Sequence, residues 1–193
     1  MLDTHARKYV QPVIEGGAGR LLKLGLSANQ VTAAAFIIGA SAGIFIYIEM
    51  LWTAVFLLWF SGYLDAVDGA MARQTKTSPF GTVMDVTFDR LVELSVILGL
   101  AFLVPEAQWA LLLLTASIIF SMTVFLTVGA VSEKQGMKSF YYQAGLAERT
   151  EGFLFFTVMI LFPHLLVWTT LVFVLVETFT GLQRLREAKQ VLQ

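Results

Sequence analysis

The chain has no cysteine, which excludes disulfides and thiolate metal sites and leaves the redox compartment unspecified. Charge is scarce. Asp, Glu, Lys and Arg make up 14% of its 193 residues, against roughly 25% in an average soluble domain. No internal repeat or low-complexity tract stands out. The N-terminal region lacks the unbroken apolar core of a signal peptide, because Asp3, His5, Arg7, Lys8, Glu15, Arg20 and Lys23 are scattered through it. Apolar side chains are what the chain has in abundance, at 57% of residues. That composition describes an integral membrane protein. Its length accommodates about six spans of about 20 residues each, in one compact bundle with no separate soluble domain expected.

Six apolar segments can be traced, at 29–48, 51–73, 81–104, 108–131, 150–162 and 165–185, the fifth being short. Pro79, Pro105 and Pro163 fall between segments, where a missing amide donor costs little, and Ser27 and Ser78 are suited to cap the helices that follow them. Ahead of them, Val10, Val13, Ile14, Leu21, Leu22 and Leu24 provide the apolar side of an interfacial amphipathic helix, a pattern interrupted by Gly16, Gly17 and Gly19. The expected architecture is an all-α membrane protein: one domain over 1–193, with a juxtamembrane segment at 1–27 and a six-helix bundle at 28–187.

The charges orient this bundle. Connections after segments one, three and five carry only Glu49, Glu106 and His164, whereas the thirteen lysines and arginines, Arg90 within segment three apart, lie on the other side. The positive-inside rule then places both termini in the cytoplasm of a multi-pass protein, with a bacterial or archaeal cell membrane as the expected setting.

Four aspartates stand out against this background. Asp65 and Asp68 lie roughly 12 and 7 Å from the inner end of segment two, and Asp85 and Asp89 roughly 6 and 12 Å into segment three, at 1.5 Å per residue. Spacings of three and four residues put each pair on one helix face, so antiparallel neighbours present the pairs to each other. Carboxylates gathered in a low dielectric repel unless a cation lies among them. An all-oxygen donor set selects hard ions, Mg²⁺ or Mn²⁺ first and Ca²⁺ as a non-native occupant. Gly69, Ala72 and Gly81 leave the approach to these helices without bulk, giving a polar ligand room beside the backbone.

The run Asp65, Ala66, Val67, Asp68, Gly69, Ala70, Met71, Ala72, Arg73, followed by Gly81, Asp85 and Asp89, resembles the signature of the CDP-alcohol phosphatidyltransferase family, D-x-x-D-G-x-x-A-R, a short spacer, then G-x-x-x-D-x-x-x-D. Every fixed position is met, and the six-helix layout extends the resemblance over nearly the whole chain. The resemblance implies a metal-dependent transferase with one or two Mg²⁺ or Mn²⁺ ions, a cytoplasm-facing cavity and a homodimer. It implies transfer of a phosphatidyl group from CDP-diacylglycerol to a small polar alcohol, with release of CMP in phospholipid biosynthesis. Asp65, Asp68, Asp85 and Asp89 would hold metal, with Asp89 also the general base. Gly69, Ala72, Arg73 and Gly81 would receive the CDP group.

Acceptor identity rests on less. Members with a phosphorylated acceptor tend to place basic residues at the inner end of the fourth helix, which here reads Thr127 to Ser132 without a cation. Lys138 and Arg149 remain as candidate acceptor-binding residues. Two other readings stand beside this one: a phosphotransferase moving an aminoalcohol from a soluble CDP-alcohol to a lipid acceptor, and a divalent-metal transporter, since transporters also carry intramembrane carboxylates. Nucleic acid is not an expected partner. Arg90 and Glu93, three residues apart, are expected to pair. Glu177 requires a partner or a wet niche, His5 and His164 read as surface residues, and the four tryptophans read as interfacial.

Overall fold

The computed structural model describes residues 2–132, 145 and 149–192, and the side chains of 10–132, 145, 149–190 and 192. Lys138 therefore lies outside the described residues. The secondary structure among them is entirely helical: α1 (Leu2–Lys23), α2 (Ala28–Tyr47), α3 (Leu51–Gln74), α4 (Pro79–Leu103), α5 (Gln108–Val131), α6 (Arg149–Leu161) and α7 (Leu166–Leu192). Pro105 and Pro163 each open a short 3-10 turn between helices, while Pro79 is the first residue of α4, where its missing N–H is no loss. Both expected caps form. Ser27 and Gln30 make a reciprocal capping box at the start of α2, and Ser78 Oγ accepts from Gly81 N at 3.0 Å at the start of α4.

α2, α3, Pro105–Val131 and Pro163–Gln190 are long and apolar enough to cross a membrane. α4 is as long but carries Asp85, Asp89, Arg90 and Glu93, and the 13 residues of α6 reach about 20 Å, short of a hydrocarbon core of about 30 Å. Trp52, Trp109 and Trp168 sit near the N-termini of α3, α5 and α7, each more than half exposed, as is usual for interfacial tryptophan.

The helices form two compact units, Leu2–Leu103 and Val104–Gln193. In the first, α2 packs against both α3 and α4, whereas α3 and α4 approach each other only sparsely among the described residues. Small residues make the α2 seam tight: a Cβ on Gly43 would strike the Ser95 carbonyl, and one on Gly99 would lie 2.5 Å from the Gly43 carbonyl oxygen. Ser61 of α3 donates to the Ala35 carbonyl of α2 at 2.8 Å, and Phe36 stacks on Phe88 of α4 with centroids 4.4 Å apart. α2 thus fixes the heights of α3 and α4 independently while leaving a gap between them.

A helix forms at the N-terminus as α1, and it runs unbroken through Pro12, Gly16, Gly17 and Gly19. Tertiary packing overrides the helix-breaking tendency. Ala18 is fully buried against Val67, Ala70 and Met71, with Ile14, Leu21 and Leu22 beside it, and Gly17 lets α1 approach so closely that a Cβ would collide with the Tyr63 hydroxyl. Val10 and Val13 stay exposed, as does Leu24 just after the helix, so the apolar residues of α1 divide between a face on α3 and a face off the protein.

In the second unit α7 plays the central part, packing against both α5 and α6. Its seam is also tight, because a Cβ on Gly181 would press on the Phe120 ring and the Ser121 backbone.

Candidate active site

Asp65 and Asp68 project from one face of α3 toward the gap that α2 leaves, and Asp85 does so from α4. One carboxylate oxygen from each lies within 4.8 Å of the others. Asp68 is buried at 4% exposure, and Asp65 and Asp85 are half-buried. A hard divalent ion bound at about 2.0–2.6 Å sets opposite ligand oxygens about 4–5 Å apart, so these three donors fit such a shell in both size and chemistry.

Asp89 stands one helical turn further along α4, half-buried and outside this close trio. Arg90 and Glu93 form the expected ion pair, with side chains 29% and 12% exposed, so neither charge faces the apolar interior of α4 alone.

The small residues of the motif have distinct surroundings. Among the described residues Gly69 has only the Arg73 guanidinium near its missing side chain, at 3.4 Å, so Arg73 folds back along α3 toward the cluster from an otherwise exposed position. Ala72 is half-buried beside it. The space at Gly81 is taken up: a Cβ there would meet Ser78 Oγ at 3.0 Å and Asn29 Oδ1 at 3.1 Å. Ser78 and Asn29 in turn line a groove of about 390 Å³ between the α1–α2 and α3–α4 connections, with Ser27, Thr75 and Lys76 as its other polar walls. Asn29 and this groove were not anticipated from sequence, since they are defined only when two connections 46 or more residues apart come together.

In the second unit, Arg149 opens α6 half-buried, its guanidinium 5.4 Å from the Phe153 ring centroid. Arg184 was also not singled out from sequence, although a signal for it existed. It falls on the buried stripe Leu166, Thr170, Phe173, Glu177, Thr180, Arg184, Ala188, whose members recur at three- and four-residue intervals, whereas Arg186 and Lys189 do not. Glu177 is half-buried on that stripe, and His164 is exposed; the His5 side chain lies outside the described residues. Arg184 is 7% exposed, its Nη1 donates to Ser121 Oγ of α5 at 3.2 Å, and its guanidinium lies 4.8 Å from the Phe125 centroid.

Residues 26–183 match the CDP-alcohol phosphatidyltransferase family. Over 194 aligned residues the chain is 33% identical to archaetidylinositol phosphate synthase of Pyrococcus horikoshii, covering 100% of this chain and 99% of that one. It is 30% identical to inner membrane protein YnjF of Escherichia coli over 175 residues, 84% of this chain and 83% of that one. Among solved structures, Mycobacterium tuberculosis phosphatidylinositol phosphate synthase with CDP-DAG bound superposes with a TM-score of 0.77 at 21% identity, covering 92% of this chain and 94% of that chain. The same mycobacterial protein has also been solved in complex with manganese and citrate, with a TM-score of 0.76 to this chain. At that identity the structural likeness is one of fold. With the signature complete over Asp65 to Asp89 and the family match running from the start of α2 into α7, the chain belongs to the CDP-alcohol phosphatidyltransferase family and is a membrane enzyme of phospholipid synthesis.

Proposed function

We propose that this enzyme transfers a phosphatidyl-type group from a CDP-linked lipid such as CDP-diacylglycerol to a phosphorylated polyol of the inositol phosphate class, releasing CMP. The observation that carries the transfer reaction is the gathering of Asp65, Asp68 and Asp85 within 4.8 Å inside a complete family signature. The acceptor class is supported by the buried Arg184 and the half-buried Arg149, and by full-length similarity to a synthase of an inositol-phosphate lipid. A guanidinium suits phosphate because its planar fork pairs with two phosphate oxygens at once.

In this reading Asp65, Asp68 and Asp85 hold Mg²⁺ or Mn²⁺, which supplies charge neutralisation at the diphosphate and at CMP as it leaves. The acceptor hydroxyl attacks the phosphorus that bears the lipid, a new phosphate ester bond forms, and the bridging P–O bond to CMP breaks. Asp89, apart from the close trio, takes the proton from that hydroxyl. Arg73 lies toward the phosphates, Gly69 and Ala72 leave the donor room, and Gly81 lies behind Ser78 and Asn29, which line the groove in which the nucleoside end is accommodated. The two units work as a single domain. Its six helices after α1 form one bundle in the membrane, α1 lies at the interface, the termini and site face the cytoplasm, and the enzyme is a homodimer; the distribution of Lys and Arg supports the orientation.

The test is CMP release by purified protein in lipid nanodiscs with CDP-diacylglycerol and Mg²⁺ or Mn²⁺, against serine, glycerol phosphate, inositol and inositol phosphate. Turnover with inositol phosphate far above that with inositol is expected. Preferred use of serine or of unphosphorylated inositol would overturn the acceptor class while leaving the transfer reaction intact.

A further inference from the structure

Within the connection between α5 and α6, Gly145 is a buried residue that the family signature does not include. A Cβ built on it would collide with the Thr180 methyl and would stand 3.1 Å from Nη2 and 3.3 Å from Nε of Arg184. Neither neighbour yields easily. Thr180 is fully buried on α7 and its Oγ1 donates to the Val176 carbonyl at 2.9 Å, so turning the methyl away would break that bond. Arg184 is held on its other sides by the Ser121 hydroxyl and the Phe125 ring. The backbone at Gly145 therefore forms one wall of the niche in which the guanidinium lies.

We propose that Gly145 is a positioning residue for acceptor recognition: its missing side chain keeps the Arg184 guanidinium in the place from which it pairs with the acceptor's phosphate. This rests on the reading of Arg184 given above. The physical reason is the directionality of guanidinium–phosphate pairing. A fork that binds two oxygens at once loses most of its advantage when displaced by about 1 Å, and misplacement on that scale in an active site costs up to about a hundred-fold. Any side chain at 145 displaces either the connection or the fork, and the Thr180 methyl decides which by refusing to move.

The geometry supplies its own rescue. Thr180→Ser keeps the hydroxyl that bonds Val176 and removes only the methyl that a Cβ at 145 would strike. In steady-state CMP release with Mg²⁺ or Mn²⁺, Gly145→Ala is expected to raise KM for inositol phosphate roughly ten-fold. KM for CDP-diacylglycerol should stay within about two-fold, a split that a general loss of folding does not produce. Thr180→Ser alone should be nearly neutral, and in the Gly145→Ala background it should return the acceptor KM to within about three-fold of the parent. An unchanged acceptor KM in Gly145→Ala, or equal rises for both substrates, would overturn the proposal. So would a double variant that is folded, by thermal melting, and still impaired; this arm holds even if the single variant does not fold. Arg184→Gln separates the two levels. If it leaves the acceptor KM unchanged, the assignment of Arg184 fails; if it raises that KM while Gly145→Ala does not, only the role of Gly145 fails.

Discussion

In the first unit the central helix carries no charge, and Asn29 at its start is its one side chain given a place beside the ligand. α2 has no charged residue, and its glycines and Ser61's bond to Ala35 serve to hold α3 and α4 at matched heights so that their carboxylates face each other. In the second unit the central helix carries the chemistry itself. α7 bears Arg184 on its buried stripe, and α5 and residue 145 build the niche around it. The contrast follows from the ligands each unit is proposed to handle. A cluster of anions needs two helices that do not close on each other, which a third helix arranges by packing against both. A single buried cation needs walls on several sides, which the helix at the centre of a packed unit has already.

The largest effect expected from breaking this contrast is in the first unit. Asp68→Ala removes the most buried of the three gathered carboxylates, and loss of turnover together with loss of divalent-dependent CDP binding by calorimetry is expected; unchanged CDP affinity would dissolve the metal assignment. Asp89→Asn should lower turnover roughly 10²- to 10⁴-fold while metal and CDP binding persist, since it removes a proton acceptor and not a member of the close trio. Full activity would end its assignment as the base. Arg149→Gln sharpens the division between units: acceptor KM should rise about ten-fold with donor KM little changed, as expected for one charge-assisted hydrogen bond. Equal effects on both substrates would show that the two units do not divide the substrates between them.

Two further changes separate scaffold from chemistry. Gly43→Val forces a side chain onto the Ser95 backbone and should destabilise the first unit by about 1–3 kcal/mol, read from thermal melting in detergent. Ser27→Ala dissolves the capping box of α2 and should cost about 1 kcal/mol with little change in the two KM values.

The two units also differed in how far they could be anticipated. Helix positions from α2 to α6 follow the apolar segments closely, because caps and prolines mark their ends in the local sequence, whereas α7 starts as expected but runs on to Leu192, past the end of the last apolar segment at 185. α1 was harder to foresee. Its glycines read as interruptions, yet Gly17 is the residue that admits α1 to Tyr63 and Val67, a reason visible only from the partner helix. The aspartates were legible because three- and four-residue spacing is itself a statement about one helix face. Gly81 was legible as a place without bulk, though not as one whose space Ser78 and Asn29 take up. Arg184 resembled Arg186 and Lys189 as another cation near the end of an apolar segment; its place on the three- and four-residue stripe of α7 was the one local signal that set it apart, and its burial bears that signal out.

By itself the sequence determined the membrane setting, the helical class, the helix boundaries up to the start of α7 and the carboxylate signature, since composition, capping and the 3.6-residue period act within a few residues of one another. Only the tertiary structure decided which three carboxylates gather, that a groove opens beside Gly81, and that Arg184 is the buried cation with Gly145 as one wall of its niche. Those outcomes depend on packing between segments tens of residues apart, where a single methyl or its absence sets how closely two backbones approach.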